Sequence, residues 1–367
     1  MKVGTITYHR AVNYGAVLQT YALQKVLDKL EIENEVIDYR ADYIEWIYKP
    51  FCMRDRKSVG DFFKILRGAP IKNKKRNQFF RFINENIRVS KPYTKETLST
   101  SNEVYDCFLT GSDQVFNLEC SNYDENYFLN FVNEDKKRNS YAASFGFDDA
   151  PEADVEKYKK LLTGFKNISV REKQGVKIAK EIADKDAVEV LDPTLLISGN
   201  EWREIVKHTP KYDKKYILIY ALKPSEMLME FANELKRLTG YDMVFIKDSL
   251  TKEGQNVLSK DVKYVKDVDP FEFVNYFANA EYIITNSFHG TAFSINFNKK
   301  FFTEFLDPAL RVNSRLENIL EMIGLKSRKI ESLDSLTLAD IDYTKVNQVL
   351  KERKEVSLEY LKKVIKG

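Results

Sequence analysis

Short apolar runs alternate along this chain with longer segments whose apolar residues recur at helical spacing. In the first half, runs that predict β-strands occupy residues 3–8, 35–39, 105–110, 140–145, 167–170 and 188–191. In the second half, similar runs occupy residues 216–220, 243–246, 262–265, 282–285 and 300–305. Helices are predicted between them, the first from the shared face of Leu23, Val26, Leu27 and Leu30. Strands that alternate with helices predict parallel sheets covered by helices.

The alternation loosens at 198–213, which predicts a linker there. A chain of 367 residues also exceeds the size at which one hydrophobic core usually stops growing. We therefore predict an α/β fold with two Rossmann-like domains facing across a cleft. The first domain is expected at 1–197 and the second at 198–345, followed by a helix at 346–367 that could pack back on the first domain.

The composition is that of a soluble globular protein, with 43% hydrophobic and 31% charged residues. A net charge of only +3 gives no global case for nucleic-acid binding. The three cysteines, Cys52, Cys107 and Cys120, lack the spacing of a zinc site, and such a sparse, odd set predicts a reducing, cytoplasmic compartment. Neither a signal peptide nor an apolar run of about 18 residues is expected.

Charge is concentrated in one segment, residues 49–81. It holds eleven Lys or Arg residues against two acids, Asp55 and Asp61, and phenylalanines are interleaved with them. One interpretation is an ordinary solvated helix surface. The other is a surface that contacts anionic lipid at the inner face of the membrane or binds a lipid-linked pyrophosphate.

Two of the three histidines follow predicted strands. His289 comes after the 282–285 strand and opens a helix, where unpaired backbone N–H groups favour anions. His9 follows the first strand in the same way, and the carboxyl ends of parallel strands are where α/β sheets bind ligands. An ordinary turn histidine remains the alternative for His289. His208 is expected to be a loop residue without a chemical role.

Two other strand ends carry polar residues. Ser112 and Asp113 follow Gly111 and could bond either a sugar hydroxyl or the local backbone. Arg171 is suited to a bidentate bond with carboxylate or phosphate, although it could equally pair with Glu172 or a neighbouring acid.

Five motifs in order make the chain resemble the polysaccharide pyruvyl transferase family. They lie between positions 9 and 315: Asn13-Tyr14-Gly15-Ala16 with Leu18-Gln19-Thr20, Gly111-Ser112-Asp113-Gln114, Ser169-Val170-Arg171-Glu172, Leu191-Asp192-Pro193-Thr194 and Ser287-Phe288-His289-Gly290. The resemblance implies a GT-B-like fold. It also implies transfer of the enolpyruvyl group of phosphoenolpyruvate to a sugar of a surface polysaccharide (an exopolysaccharide or capsule) or of its lipid-linked precursor, usually as a cyclic ketal.

The chain departs from the family at its central motif. Family members often have Thr-Asp-Arg-Leu-His-Gly, whereas this chain has Asn286 for the acid and Ser287 for the arginine. We expect Arg315 to replace the missing donor-binding arginine, because Arg311 and Arg315 are one helical turn apart just beyond the next strand.

The resemblance implies roles for residues on both sides of the predicted cleft. His289 is the expected general acid/base. Donor binding is expected from Arg171 of the first domain and from four residues of the second domain: Arg315, Ser287, Gly290 and Lys223. Acceptor binding is expected from the first domain: His9, Asn13, Tyr14, Gly15, Ser112 and Asp113. No cofactor or metal is expected, because His, Cys and carboxylates do not cluster at ligand spacing.

Two other functions fit the same pattern. A nucleotide-sugar glycosyltransferase of GT-B type could use the same layout, with Glu304 holding the ribose. A non-catalytic protein that binds an anionic glycan would account for the altered Asn286-Ser287 pair.

Overall fold

The computed structural model describes residues 1–50, 59–207, 209, 212, 214–247, 262–307, 310 and 312–366, with backbone only at 59–67, 136 and 366. Cys52, His208, Arg311 and much of the basic segment at 49–81 therefore lie outside the described residues. The chain forms two compact units. One comprises Met1–Leu196 with Glu352–Gly367, and the other Ile197–Lys351.

The sheet of the first unit is wholly parallel. Its five strands, in the spatial order β3-β2-β1-β4-β5, are β1 (Lys2–Ile6), β2 (Glu33–Tyr39), β3 (Val89–Tyr93), β4 (Cys107–Thr110) and β5 (Arg138–Ser140). A parallel pair, β6 (Ile168–Val170) and β7 (Ala187–Glu189), is joined to it through single bridges. This is the Rossmann order, in which the direction of strand progression reverses between β1 and β4.

Helices connect these strands. They are α1 (Tyr14–Lys29), α2 (Asp42–Ile47), α3 (Val59–Asn86), α4 (Val155–Thr163), α5 (Lys173–Ala183) and α6 (Pro193–Leu196). Helix α1 begins at Tyr14 because the Asn13 side chain caps it, accepting a hydrogen bond from the backbone N–H of Ala16 at 3.1 Å. Thirteen of its sixteen residues are buried, so α1 is a core helix.

The second unit repeats the same order with six parallel strands, β10-β9-β8-β11-β12-β13. The strands are β8 (Tyr216–Tyr220), β9 (Asp242–Ile246), β10 (Val262–Val265), β11 (Tyr282–Thr285), β12 (Lys300–Glu304) and β13 (Lys329–Ile330). The helices are α7 (Gly199–Ile205), α8 (Glu226–Thr239), α9 (Pro270–Asn279), α10 (Phe288–Asn296) and α11 (Ser314–Met322). Two parallel sheets with helical crossovers confirm the predicted α/β class with two Rossmann-like units.

The last helix, α12 (Tyr343–Lys366), belongs to both units. Near its start, the Tyr343 hydroxyl donates to the Lys299 carbonyl at 2.5 Å. Further along, the Ser357 hydroxyl accepts a hydrogen bond from the Leu191 backbone N–H at 2.9 Å, and the Tyr360 hydroxyl donates to the Ser140 carbonyl at 3.0 Å. Its C-terminal half is thus tied to the strand-end segments of the first unit.

Two predicted segments differ in the structure. The run at 140–145 is not a strand: β5 ends at Ser140, and the following residues are buried and bridge only through Ala143, to Asp113 and Val170. The predicted linker at 198–213 begins instead with helix α7, which Ser198 and Glu201 start with a capping box. Apolar periodicity alone could not separate an irregular buried segment, in which Ala142 has a φ of +52°, from a paired strand.

Part of the basic segment faces inward. Phe79 of α3 is buried against the ring of Tyr14, with 5.1 Å between centroids, and the Lys75 ammonium lies 5.0 Å from the Tyr14 ring. This aromatic contact holds α3 on α1. The described part of the segment is therefore not a uniformly solvated surface.

Among the described residues, no helix combines the length and apolar character that crossing a membrane requires.

Helix α10 packs unusually close to the strand that precedes it. Every residue of α10 except Asn296 is buried, and β11 is buried throughout. A Cβ atom on Gly290 would lie 2.2 Å from the Thr285 Oγ1 and 3.0 Å from its Cβ. The glycine is therefore required for α10 to begin directly over the end of β11.

We predict that Gly290→Ala lowers the free energy of unfolding by about 1–3 kcal/mol through overpacking. Gly68 in α3 is the matched control, because a Cβ there would meet nothing within 4 Å. Gly68→Ala should raise stability by about 0.5–1 kcal/mol, as expected for a helical glycine. Urea unfolding of both variants measures the difference, and equal effects would contradict this role for Gly290.

Candidate functional site

The first unit gathers four of the five motifs at the carboxyl ends of its strands. The Gln19 side-chain amide donates to the Thr7 hydroxyl at 3.0 Å, and that hydroxyl donates to the Ser112 carbonyl at 2.8 Å. The Ser112 hydroxyl in turn donates to the Asp192 carboxylate at 2.9 Å. Helix α1, strand β1 and the turns after β4 and β7 are thereby connected by buried hydrogen bonds.

Asp192 is the centre of this network. Its Oδ2 also accepts a hydrogen bond from the Arg171 guanidinium at 2.9 Å, and its Oδ1 accepts from the Thr194 backbone and hydroxyl at 2.9 and 2.7 Å. The Arg171 side chain is only 1% exposed. The sequence left open whether Arg171 binds a ligand or pairs with a nearby acid. The structure shows the pairing, and donor binding by Arg171 stays a prediction.

Glu172 completes the buried part of this edge. Its carboxylate accepts hydrogen bonds from the Ser144 hydroxyl at 2.9 Å and the Phe145 backbone N–H at 3.1 Å. The carboxylate therefore accepts hydrogen bonds from buried donors of the chain after β5, in the segment that was wrongly predicted as a strand.

Asp113 lies at the reversal point beside β1. Its φ of +82° is in the left-handed region, which a residue other than glycine rarely adopts. The carboxylate accepts a hydrogen bond from the next backbone N–H, that of Gln114, at 2.8 Å and is half-buried. Strained backbone at a ligand-binding edge is typical of functional sites, so Asp113 is the first unit's strongest candidate for an acceptor contact.

His9 is held within the protein. Its Nδ1 lies 3.2 Å from the Thr7 carbonyl oxygen and its Nε2 lies 3.2 Å from the Asp38 carboxylate, and the ring is buried. Burial alone would raise the pKa of Asp38, but hydrogen bonding to His9 and the charge of Arg10 hold that pKa well below its usual value. His9 therefore orients the β1 turn, and its direct contact with an acceptor stays a prediction.

The other predicted acceptor residues start α1. Asn13 caps the helix and is half-buried. The Tyr14 ring is buried against Phe79, and Gly15 is buried in the first turn. Tyr14 thus has a packing role, whereas Asn13 keeps some exposed surface.

In the second unit, the corresponding reversal point lies between β8 and β11. Thr285 at the end of β11 is opposite both Tyr220 of β8 and Thr303 of β12. The three strand ends are therefore level. The residues that follow them, Lys223, the 286–290 turn and Glu304, share one edge of the sheet.

Asn286 connects these three strand ends. Its Oδ1 accepts from the Leu222 backbone N–H at 2.8 Å, and its Nδ2 donates to the Lys223 carbonyl at 2.7 Å. The same Nδ2 is 3.3 Å from Oε2 of Glu304, whose other oxygen accepts a hydrogen bond from the Ser225 hydroxyl. Burial raises the pKa of Glu304, and the hydrogen bonds from Ser225 and Asn286 oppose this. An amide can donate to Glu304, whereas the family's acid would repel it.

His289 occupies the first turn of α10. Ser287 caps this helix by accepting from the Gly290 backbone N–H at 3.4 Å, and its own N–H donates to the Thr285 hydroxyl at 3.1 Å. The imidazole is buried edge-on against Phe288, with ring centroids 5.3 Å apart. A histidine thus lies among the N-terminal backbone amides of a helix, where an anion is favoured.

The two predicted donor cations of this unit lie on segments next to the α10 turn. Lys223 is exposed in the turn after β8. Arg315 is in the first turn of α11, which contacts α10, and its side chain is half-buried.

Sequence reasoning assigned no structural role to three polar residues that the structure places at these edges: Asp192, which appeared only within a motif, Asp38, and Asn286 as a connector. Asp192 and Asp38 both lie at or just beyond a strand's carboxyl end, which was the available signal. The contacts that join them to other strand ends, Asp192 to Ser112 and Asp38 to His9, span 80 and 29 residues and could not be inferred from local patterns.

The family model described as "Polysaccharide pyruvyl transferase" matches residues 13–303. The chain belongs to this family. Its members are transferases, so the chain is assigned as a transferase, and the resemblance seen in its motifs is confirmed. No curated protein matches the sequence.

Solved structures with similar folds share little sequence with this chain. The S. aureus MnaA–UDP co-structure is 14% identical, with 97% of this chain and 90% of that chain covered and a TM-score of 0.48. A UDP-GlcNAc 2-epimerase from Neisseria meningitidis bound to UDP-GlcNAc is 12% identical, with 98% and 100% covered and a TM-score of 0.49. E. coli heptosyltransferase WaaC with ADP is 12% identical, with 96% and 100% covered and a TM-score of 0.43.

We predict that Asp192→Asn destabilises the protein by about 3–5 kcal/mol, because it removes the carboxylate that lies 2.9 Å from the buried Arg171 guanidinium and leaves Glu172, 4.0 Å away, as the neighbouring anion. The matched control is Asp186→Asn, since the Asp186 side chain is 94% exposed and pairs with Lys180 on the surface. That variant should show no resolvable change in urea unfolding. An Asp192→Asn protein as stable as the control would contradict the central role of this carboxylate.

We predict that Asn286→Asp lowers the free energy of unfolding by about 1–3 kcal/mol near pH 8, because it places two carboxyl groups in contact. Like charges raise the pKa of the pair in the folded state. The contribution of this pair to the free energy of unfolding is therefore present at low pH and is lost as pH rises through the raised pKa. The difference in stability between Asn286→Asp and the unmodified protein should thus be smaller near pH 5 than near pH 8. Adding Glu304→Gln should restore part of this stability near pH 8, because it removes the like charge, while the Lys223 carbonyl still lacks the donor that Asn286 supplied. No restoration at all in urea unfolding would contradict the Asn286–Glu304 contact as a cause.

Proposed function

We propose that this chain transfers the enolpyruvyl group of phosphoenolpyruvate to a sugar of a surface polysaccharide or its lipid-linked precursor, forming a pyruvate ketal. The observation that carries the proposal is the position of His289. It lies in the first turn of α10, at the reversal point of a Rossmann-like sheet, in a member of the polysaccharide pyruvyl transferase family.

The chemistry sets the requirements of the site. The methylene carbon of the donor gains a proton and becomes a methyl group. Two sugar hydroxyl oxygens bond to the adjacent carbon and lose two protons, one of which balances the proton gained by the methylene carbon. The bond from the adjacent carbon to the phosphate oxygen breaks, and the leaving phosphate takes up the other proton. The site must therefore supply a group that transfers protons and a set of donors that stabilises phosphate as it leaves.

The second unit is proposed as the donor side. His289 is the general acid/base, and the backbone N–H groups at the start of α10 bind the phosphate. Ser287 and Gly290 shape this turn. Lys223, in the turn held by Asn286, and Arg315, in a helix that contacts α10, supply the positive charge that Asn286 and Ser287 lack.

The first unit is proposed as the acceptor side. Asp113 presents a half-buried carboxylate and Asn13 a half-buried amide at the carboxyl edge of the sheet, and sugar hydroxyls need such acceptors and donors. Ser112, His9 and Arg171 support them through the buried network around Thr7 and Asp192. A lipid-linked acceptor would place the reaction at the inner face of the membrane.

Phosphate release from phosphoenolpyruvate, in the presence of galactose- or mannose-containing acceptors, tests the proposal. His289→Asn should lower kcat by about 10²- to 10⁴-fold, because it removes general acid/base catalysis. Arg315→Ala should raise KM for phosphoenolpyruvate about tenfold or more, because a charged contact with the donor is lost.

Arg237→Ala is the control for Arg315→Ala, since Arg237 is an exposed arginine of the same unit paired with Glu234. An unchanged KM in Arg315→Ala would refute the donor role of Arg315. Absence of phosphate release with all acceptors, together with a melting temperature raised by a nucleotide sugar and not by phosphoenolpyruvate, would favour the glycosyltransferase alternative.

A further inference from the structure

A chain of alternating charges lies beside the candidate acceptor site. The Glu45 carboxylate accepts hydrogen bonds from Arg10 and, at 3.3 Å, from Arg76. The Asp38 carboxylate accepts from Arg10 at 3.2 Å and from Arg40 at 3.2 and 3.0 Å. Three guanidinium groups are thus held in a row by two carboxylates that lie between them.

An aromatic ring fixes two of these arginines from another side. The guanidinium carbons of Arg10 and Arg76 lie 4.6 and 4.3 Å from the centroid of Phe80. Stacking on an aromatic face adds to the hydrogen bonds with Glu45. The row is therefore preorganised, because each guanidinium is restrained by neighbours that do not depend on a ligand.

Its position is on the ligand-binding edge of the sheet. Arg10 lies in the turn after β1, and Arg40 comes directly after β2. His9 connects the two strand ends, because its Nε2 contacts the same Asp38 carboxylate that holds both arginines. Arg10, in the middle of the row, is therefore adjacent in sequence to His9 of the proposed acceptor site, and Arg40 lies on the side of β1 away from the reversal point at β4.

The charges in the row do not cancel. Among the described residues named above, three guanidiniums oppose two carboxylates, which leaves one excess positive charge. The cations are not sealed from solvent: the side chains of Arg10, Arg76 and Arg40 are 15%, 22% and 45% exposed.

Such a row suits an extended anion. A guanidinium has five N–H donors in a planar fork that matches phosphate oxygens. Contacts within the described residues engage two N–H groups of Arg10, two of Arg40 and one of Arg76. Several donors on adjacent, partly desolvated cations thus remain to share the oxygens of a diphosphate.

We propose that Arg10, Arg40 and Arg76 form a diphosphate-binding site on the first unit. Diphosphate esters occur in lipid-linked sugars and in nucleotides, and the same chemistry would recognise both. Assigning this diphosphate to the acceptor rests on the proposed function. The affinity of the row for diphosphate does not.

Trp46 makes the site observable. The chain has two tryptophans, and Trp202 is fully buried in the second unit. Trp46 is half-buried in α2, next to Glu45 in sequence. Binding of inorganic pyrophosphate should therefore change the emission of Trp46, and Trp46→Phe should remove that signal.

The decisive comparison is between Arg40→Ala and Arg88→Ala. Arg88 is 54% exposed, pairs with Asp28 in the same unit and carries the same charge, but lies outside the row. Arg40→Ala should raise the Kd for pyrophosphate about tenfold or more, and Arg88→Ala should change it less than about twofold. Arg40→Lys, which keeps the charge without the fork, should be intermediate, and melting temperatures confirm that the variants fold.

Three further ligands identify the source of the diphosphate. If Arg40→Ala weakens the binding of farnesyl diphosphate as much as it weakens the binding of pyrophosphate, the ligand is a lipid-linked diphosphate. If it weakens the binding of UDP to the same extent, the ligand is a nucleotide. Binding to phosphatidylglycerol vesicles that depends on Arg40, without pyrophosphate binding, would overturn the proposal in favour of a membrane contact. Equal Kd values for Arg40→Ala and Arg88→Ala, or no pyrophosphate binding by the unmodified protein, would also overturn it.

The two proposals fail separately. Pyrophosphate binding to the row requires no phosphoenolpyruvate, and phosphate release from phosphoenolpyruvate with a diphosphate-free acceptor requires no occupant of the row. Pyrophosphate binding without phosphate release from phosphoenolpyruvate would refute the proposed reaction and would still support the diphosphate site.

Discussion

The buried contact between Arg171 and Asp192 is the interaction on which the ligand-binding edge of the first unit depends. Asp192 accepts hydrogen bonds from three different parts of the chain, Ser112, Arg171 and its own turn at Thr194. An ion pair this deeply buried stabilises only when its remaining hydrogen bonds are satisfied. The family motifs thus persist in this chain as a mutually dependent set, in which each motif positions another.

The two units use one topological solution for different purposes. Both sheets have the same strand order, so each has a reversal point, where the connections on either side run in opposite directions and leave a crevice at the carboxyl ends of the strands. In the first unit this point carries the strained Asp113 beside a buried polar network. In the second it carries His289 at a helix start, supported by Asn286 and Glu304. Polar side chains at one edge, and a helix N-terminus that favours anions at the other, support the proposal of a transferase that handles a sugar and an anionic donor.

Much of this could be predicted from sequence because strands, helix starts and turn residues are local features. The strand at 282–285 and the capped helix beginning at Phe288 required only a β-rich run followed by small polar residues. The partner of Arg171 could not be predicted, because Asp192 is 21 residues away and the two are brought together only by the pairing of β6 with β7. For the same reason Asn286 was taken as a lost charge, although it holds the Lys223 turn and accommodates Glu304.

The central claim is that phosphoenolpyruvate binds where α10 begins. A crystal structure of the protein soaked with phosphoenolpyruvate tests it most directly. The account predicts phosphate density at the backbone N–H groups of the first turn of α10, with the His289 side chain within hydrogen-bond distance of the donor. Donor density confined to the first unit, or bound out of reach of His289, would contradict it.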